Sequence, residues 1–436
     1  MRFRKDFGFI IIYKLILIII SSGFFYSNLI GYHIISLLIL VLGSMILVKF
    51  DILHPYTWFG GIYLLYSLSY PILYLLNSIH AQIGYSKEIM ILQWLAYAVF
   101  FIFVSSSRIQ KYETQKMYNI HPINRYIIVI AILIILVTIS YLASLGNIKK
   151  TDIEETFIVF IGFRMGLILL VIYSIELINY INLKSKKIFY LIIVVFLTMF
   201  LLFLYSGERD FLYRFFIITF ITIFAFSSKK NRLKMYISIP FVGLLLPLIN
   251  KIKFLGLRGE ISSDKENIIE SILMSDFHAA SRNLQTLINY KDSWDFFYGY
   301  TFLMDILNAF KLSFLNHDNF ATIRWYNERF FAEERAGQGF TIVGEGYINF
   351  GYLGVIVLFI FLSLIINLLY KNSNKNIYNF IIYVYSIPIF MYATRADLAN
   401  IISPMLNYIL ITIIILWIIN NFSKEIFMKN KNNSKS

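Results

Sequence analysis

The sequence predicts an all-α integral membrane protein with about twelve transmembrane helices and one large external segment. Of its 436 residues, 58% are hydrophobic, and the mean hydropathy is +0.69. The apolar residues are gathered in runs of about 20, the length that crosses a hydrocarbon core of about 30 Å. A third observation is that every second segment between these runs is basic, which places the basic segments on one side of the membrane, as expected for cytoplasmic loops.

The apolar runs define the organisation of the chain. Residues 1–250 should form spans one to nine, 251–343 the large external segment with an amphipathic helix, 344–421 spans ten to twelve, and 422–436 a cytoplasmic tail. The predicted spans are 7–25, 31–48, 57–76, 89–106, 126–145, 157–181, 188–205, 211–227, 235–250, 345–369, 377–393 and 400–420. An even number of spans, with both termini cytoplasmic, keeps the basic loops on one side.

The net charge of +14 does not indicate a nucleic-acid-binding protein, because the 251–343 segment is slightly acidic. The positive charge lies instead in short loops and at the two ends. The chain has no cysteine, which excludes disulfides and thiolate metal sites. Its six histidines show no HExxH or similar spacing, and no cleavable signal peptide is evident. We therefore expect no metal and no cofactor.

One amphipathic helix is predicted within the large polar segment, over about 264–290. A capping box, S-x-x-E, opens it at Ser263–Glu266. Its apolar face carries Ile269, Ile272, Leu273, Phe277, Ala280, Leu284 and Leu287. The opposite, polar stripe carries Ser271, Ser275, His278, Arg282, Gln285 and Asn289. This pattern suggests a helix lying on the bundle or in the interface, with the polar stripe over a cavity.

Arginines are frequent at the predicted external ends of the spans. Guanidinium groups pair phosphate oxygens bidentately, so several of them on one membrane face favour a phosphate-bearing ligand. The alternative is interfacial snorkelling and salt bridging with neighbouring acids. The candidate substrate-binding residues are Arg164, Arg209, Arg258, Arg282, Arg335 and Arg395.

Two residues are candidate catalytic bases. His278 shares a helix face with Arg282 at i, i+4, and a histidine is close to neutral at working pH. Glu345 begins the tenth span, where its carboxylate could accept a proton, bind a sugar hydroxyl or pair with an arginine. Histidine in a solvated position and glutamate in a structural ion pair are the alternatives.

Three stretches carry a resemblance to a known family. They are SGERD at the end of a span, the large late external segment, and AGQGFTIVGEGYINFGYLG, which re-enters the membrane. Together they resemble the Wzy-type polymerases of bacterial O-antigen and capsular repeat units. The SGERD arginine, Arg209, is also similar to an arginine of the related O-antigen ligases.

The resemblance implies a GT-C-like, metal-independent, inverting glycosyltransferase of the bacterial inner membrane. Its substrate would be an undecaprenyl-pyrophosphate-linked oligosaccharide, and a chain-length regulator protein would be an additional partner. Two alternatives stay open at this point. The first is an O-antigen ligase, and the second is a lipid-linked oligosaccharide flippase, which would be a transporter.

Overall fold

The chain is all-helical in the part that the structure, a computed structural model, describes, and this part contains no β-strand. The described residues are 2–78, 83–109, 124–145, 157–206, 209–228, 230–236, 273, 276–310, 320–332, 338–414 and 417. Among these described residues, six helices are long and apolar enough to cross a membrane. They lie at Gly8–Tyr26, Ile30–Leu47, Ile127–Ser144, Phe157–Leu183, Lys186–Ser206 and Ile342–Asn372. The predicted fold class is thus confirmed as a helical, multi-pass membrane protein.

The helices are numbered here in chain order. The first eight are α1 (Arg2–Gly23), α2 (Ile30–Leu47), α3 (Pro55–Leu75), α4 (Lys87–Phe103), α5 (Asn124–Leu145), α6 (Phe157–Leu183), α7 (Lys186–Ser206) and α8 (Arg209–Phe226). The others are α9 (Asp276–Asn289), α10 (Tyr300–Ala309), α11 (Thr322–Phe330), α12 (Ile342–Asn372), α13 (Ile377–Ala393) and α14 (Ala399–Pro404), which continues as a π turn, Met405–Leu410.

Every predicted span except the ninth coincides with one of these elements. Nearly all of the ninth, 235–250, lies outside the described residues, as does most of 251–275. The predicted helix at about 264–290 is described as α9 over its second half. The total of twelve spans and the external position of 251–343 remain predictions.

The helices α3 and α4 begin with capping residues. His54 Nδ1 accepts a hydrogen bond from the Tyr56 amide at 3.1 Å, with Pro55 in the first turn of α3. Ser86 Oγ accepts from the Glu88 amide at 3.2 Å and opens α4. These caps satisfy backbone donors that a helix start would otherwise leave unpaired.

The chain divides into two compact units. Unit 1 comprises Met1–Gln110, Lys265–Lys371 and Ile389–Ser403. In this unit α9 packs on α3 and α4, α2 packs on α1, α3 and α4, and the apolar residues of α9 are buried as predicted.

Unit 2 comprises Lys111–Asp264, Asn372–Pro388 and Pro404–Ser436. Its helices α5 to α8 pack on one another. Gly162 of α6 lies so close to Thr138 of α5 that a methyl group at position 162 would overlap the threonine side chain. A small residue therefore lets the two helices approach, as is common between membrane helices.

A sharp break divides α12 into two parts. Phe350 and Gly351 have non-helical dihedral angles, and Gly351 has φ +58° and ψ −137°. The two parts fold closely together, because a Cβ on Gly346 would lie 2.8 Å from the Val355 Cα, and one on Gly354 would overlap the Gly346 carbonyl oxygen. Glycine is required here by close backbone approach.

We predict that Gly354→Ala destabilises the protein. The new methyl group would meet backbone atoms, which cannot rotate away, so a cost of about 1–3 kcal/mol is expected. Gly31→Ala in α2 is the matched control, because nothing lies within 4 Å of its added Cβ. Thermal unfolding in detergent should show a lower midpoint for the first variant alone, and equal midpoints would contradict the packing described.

Candidate functional site

Arg282 of α9 is held against the segment 338–340, which precedes α12. Its guanidinium donates a hydrogen bond to the side-chain oxygen of Gln338, and its Cζ lies 5.0 Å from the centroid of the Phe331 ring. The neighbouring Asn283 is fully buried and donates to the Gln338 carbonyl at 3.0 Å. Two adjacent side chains of α9 therefore fix this segment by contacts about 55 residues away in sequence.

Arg395 lies against the same segment, 338–340. Its carbonyl oxygen accepts a hydrogen bond from the Phe340 amide at 3.0 Å. Gly339 has φ +72°, and a Cβ placed there would be 3.1 Å from the Arg395 carbonyl oxygen and 4.0 Å from its Nε. The Arg395 guanidinium also lies over the ring of Tyr392, 5.3 Å from its centroid. The structure thus brings two of the six candidate arginines to one short segment.

This arrangement suits an anionic ligand. Both guanidinium groups are only partly exposed, and their Nε atoms are shielded from solvent. Partial burial strengthens an ionic hydrogen bond relative to one in water, and the guanidinium fork matches two phosphate oxygens. Arg282 and Arg395 therefore both have guanidinium groups beside the 338–340 segment, and a guanidinium group can bind a phosphate.

His278 is one helical turn before Arg282, on the same face of α9, and is buried. Its ring lies 5.6 Å from the ring of Tyr70 in α3. This position differs from the exposed histidine that was the alternative interpretation of the sequence. The structure therefore gives His278 a buried position beside Tyr70 rather than a solvated one.

Other polar side chains of α9, Ser281 beside the stripe and Gln285 and Asn289 within it, are used for packing. Ser281 Oγ accepts from the Tyr70 amide at 3.1 Å. Gln285 accepts from, and Asn289 donates to, the backbone of the 83–86 segment, at 2.9 and 2.7 Å. The sequence predicted that this stripe lies over a cavity. In the described half, Gln285 and Asn289 bind α9 to its neighbours, and the cavity stays a prediction.

Three buried carboxyl groups meet beside the first turn of α12. Glu345 and Asp305 are fully buried, and Asp397 is 3% exposed. Glu345 Oε2 accepts from the Leu398 amide at 2.7 Å, and its Oε1 accepts from Thr301 Oγ1 at 3.4 Å. Sequence analysis singled out Glu345 but missed Asp305, whose signal is a lone carboxylate in the apolar stretch YTFLMDILNAF.

The cluster joins four parts of unit 1. Asp305 belongs to α10 and accepts from the Ala399 amide at 3.3 Å. Asp397 precedes α14 and accepts from the amides of Ile323 in α11 and Asn400, at 3.4 and 3.2 Å. With Glu345 of α12, these carboxyl groups connect the turn that carries Arg395 to three helices.

Burial and the negative charge of Asp397 raise the pKa of Asp305 to about 7. Burial also raises the pKa of Asp397, against the lowering effect of its hydrogen bonds to Asn400. Buried carboxyl groups this close together repel one another when all of them are charged, which favours the protonated form of at least one of them.

The other four arginines are not placed at this site. Arg164 is in α6 of unit 2, with its guanidinium 3.8 Å from the centroid of the Phe160 ring. Arg209 begins α8, and its side chain lies outside the described part of the chain. Arg258 and Arg335 lie outside the described residues altogether.

Among the residues with described positions, no group of three or more His, Asp and Glu side chains has a geometry that could hold a metal ion. This includes the carboxyl cluster, whose oxygens accept hydrogen bonds from backbone amides and hydroxyl groups.

Comparison with known proteins gives one match. The model of the family described as O-antigen polysaccharide polymerase Wzy matches residues 7–431, nearly the whole chain. No curated protein and no solved structure matches the chain.

We predict that Asp305 makes stability fall as pH rises from about 4 to about 7. The unfolded chain releases this proton near pH 3.8, whereas the folded chain keeps it until about pH 7, so the folded state binds more protons between these values. Asp305→Asn stays neutral and should lose less stability between pH 5 and pH 8 than the parent protein. Thermal unfolding in detergent measures both losses.

The control for this experiment is Asp292→Asn, which changes an exposed carboxylate of the same unit. It should show the same loss of stability as the parent protein. An Asp305→Asn variant that lost as much as the parent would contradict the raised pKa.

Proposed function

The chain belongs to the O-antigen polysaccharide polymerase family Wzy, and on this premise we propose how and where it joins repeat units. Family membership establishes a multi-pass membrane protein that polymerises lipid-linked oligosaccharide repeat units. It favours this activity over that of a ligase or a flippase. We propose that the reaction is a metal-independent, inverting glycosyl transfer.

The proposed substrate is an undecaprenyl-pyrophosphate-linked oligosaccharide at the external face of the plasma membrane. The distribution of basic loops supports twelve spans, cytoplasmic termini and an external 251–343 segment. A chain-length regulator protein is proposed as a further partner.

The observation that carries the mechanism is the meeting of Arg282 and Arg395 at the 338–340 segment. A hydroxyl of the incoming unit attacks the anomeric carbon of the growing chain, and the bond to pyrophosphate breaks. Negative charge then grows on the leaving pyrophosphate. Two fixed guanidinium groups would stabilise this charge more than the ground state, which lowers the barrier.

The remaining arginines keep their proposed role in binding pyrophosphate or sugar. Arg209 and Arg258 lie in or beside predicted external loops, and Arg335 is three residues before Gln338. Arg164 is in a predicted span, and its cation–π contact with Phe160 also supports a purely structural role.

The attacking hydroxyl must lose its proton as the glycosidic bond forms. We propose His278 as the acceptor, supported by its place one turn from Arg282. Glu345 is the alternative base. Both of its carboxylate oxygens already accept hydrogen bonds, from the Leu398 amide and from Thr301 Oγ1, which favours a positioning role for it.

We predict that Arg282→Ala abolishes or strongly reduces polymer. Losing one charge-assisted hydrogen bond costs about 1.5–3 kcal/mol, or about 10- to 150-fold in rate. Arg282→Lys should retain more activity, since it keeps the charge but loses the fork. The measurement is complementation of a deletion strain, which should carry a single repeat on its lipid core, followed by gel analysis of surface polysaccharide.

Arg108→Ala is the matched control, because Arg108 pairs with Asp51 at 3.6 Å within the same unit. It should restore the full ladder of polymer. A full ladder from Arg282→Ala at normal protein level would remove Arg282 from the site. A deletion strain that lacked any capped core would point to ligase activity.

We predict that His278→Gln is inactive but still binds lipid-linked substrate. Glutamine has similar size but no basicity, so the loss should be about 10²–10⁴-fold in turnover. Purified protein and lipid-linked repeat units allow both quantities to be measured. Near-normal turnover of His278→Gln, combined with loss of turnover in a folded Glu345→Gln variant, would transfer the role of base to Glu345.

A further inference from the structure

The short helix α10 buries polar side chains and exposes large apolar ones. Its buried face contains Thr301 and Asp305 together with Met304 and Ala309, whereas Leu303, Ile306 and the adjoining Phe310 are exposed. Leu303 is 53% exposed and Phe310 is 55% exposed. An amphipathic helix in water turns its apolar side inward, so this exposed face requires an apolar environment.

The same kind of surface runs along α12. After its break, exposed apolar side chains recur every three or four residues, which places them on one side of the helix. They are Leu353, Val357, Phe361, Leu364 and Leu368. Because α12 is long and apolar enough to cross a membrane, this side is the one that contacts lipid.

The segment that leads into α10 lies against the break in α12. The amides of Phe297 and Tyr298 donate to the carbonyl oxygens of Ile348 and Asn349, at 2.9 and 3.1 Å. The Tyr298 ring also contacts the exposed ring of Phe350, with 6.4 Å between centroids. The chain therefore enters α10 directly beside the break in α12.

The length of α12 fixes the depth of this point. Residues 351–372 rise about 33 Å at about 1.5 Å per residue, close to the hydrocarbon thickness of about 30 Å. Residues 342–349 before the break are all buried in protein. The break, and with it the start of α10, therefore lies near the membrane surface.

We propose that α10 is an interfacial helix whose apolar face, formed by Leu303, Ile306 and Phe310, lies among the acyl chains of the membrane lipids. A part of the 251–343 segment, which the sequence assigned to water, is thereby embedded in the bilayer. The carboxyl cluster then lies directly behind a lipid-contacting helix, since Asp305 is on the opposite face of α10. This inference does not depend on the roles proposed for the arginines.

The chain offers a direct test because it contains no cysteine. Single cysteines are introduced at Leu303, Ile306 and Phe310, spin-labelled, and studied in substrate-free phosphatidylethanolamine–phosphatidylglycerol vesicles. Collision with oxygen, which partitions into lipid, is compared with collision with a water-soluble nickel chelate. Val357→Cys on α12 is the lipid control, and Asp295→Cys, at an exposed position before α10, is the water control.

The three α10 labels should show an oxygen-to-nickel ratio several-fold above that of Asp295→Cys, and closer to that of Val357→Cys. Ratios equal to the water control would overturn the proposal. Low collision with both reagents would also overturn it, because the face would then be covered by protein, either another part of this chain or a second copy. Three separate positions keep the test decisive if one variant fails to fold.

Discussion

The geometry of unit 1 around the break in α12 depends on one buried amide, the side chain of Asn349. Its Nδ2 donates to Thr301 Oγ1 at 2.6 Å and to the Glu345 carbonyl at 2.8 Å, while its Oδ1 accepts from the Gly299 amide at 2.9 Å. Only a group with both donors and an acceptor can satisfy these partners at once. Through it the helix break, the entry to α10 and the carboxyl cluster have one fixed geometry.

Burying the carboxyl cluster costs free energy, and the hydrogen bonds of the cluster offset this cost. A carboxyl group taken out of water needs hydrogen bonds or a proton. Glu345 and Asp397 obtain theirs largely from backbone amides, including that of Leu398. The turn with Arg395 is thereby tied to α12, so the position of one guanidinium depends on an acidic residue that need not touch the substrate.

Local patterns in the sequence were enough to predict the long apolar helices and α9, but not the short helices α10 and α11. Long apolar runs located the spans, and the apolar period of α9 predicted its buried face, because both signals arise within one helix. The pairing of Arg282 with Gln338 could not be predicted, since it joins residues 56 apart whose approach depends on the packed fold. Asp305 was missed for the same reason: its partners Glu345 and Asp397 are distant in sequence.

The environment of the exposed face of α10 also could not be predicted from the sequence. The stretch is too short for a span and lies in a polar region, so its apolar residues look like a small core. Whether such residues face protein or lipid depends on which side carries the buried partners, and here Asp305 and Thr301 take the protein side.

The polar side chains of α9 have two roles, one structural and one proposed in ligand binding. Ser281, Gln285 and Asn289 fix the helix to α3 and to the 83–86 segment. Arg282 is thus presented from a rigid element rather than from a loop. A cation that is already ordered loses little conformational entropy when it meets an anion, which supports the proposed role of Arg282 in stabilising a leaving pyrophosphate.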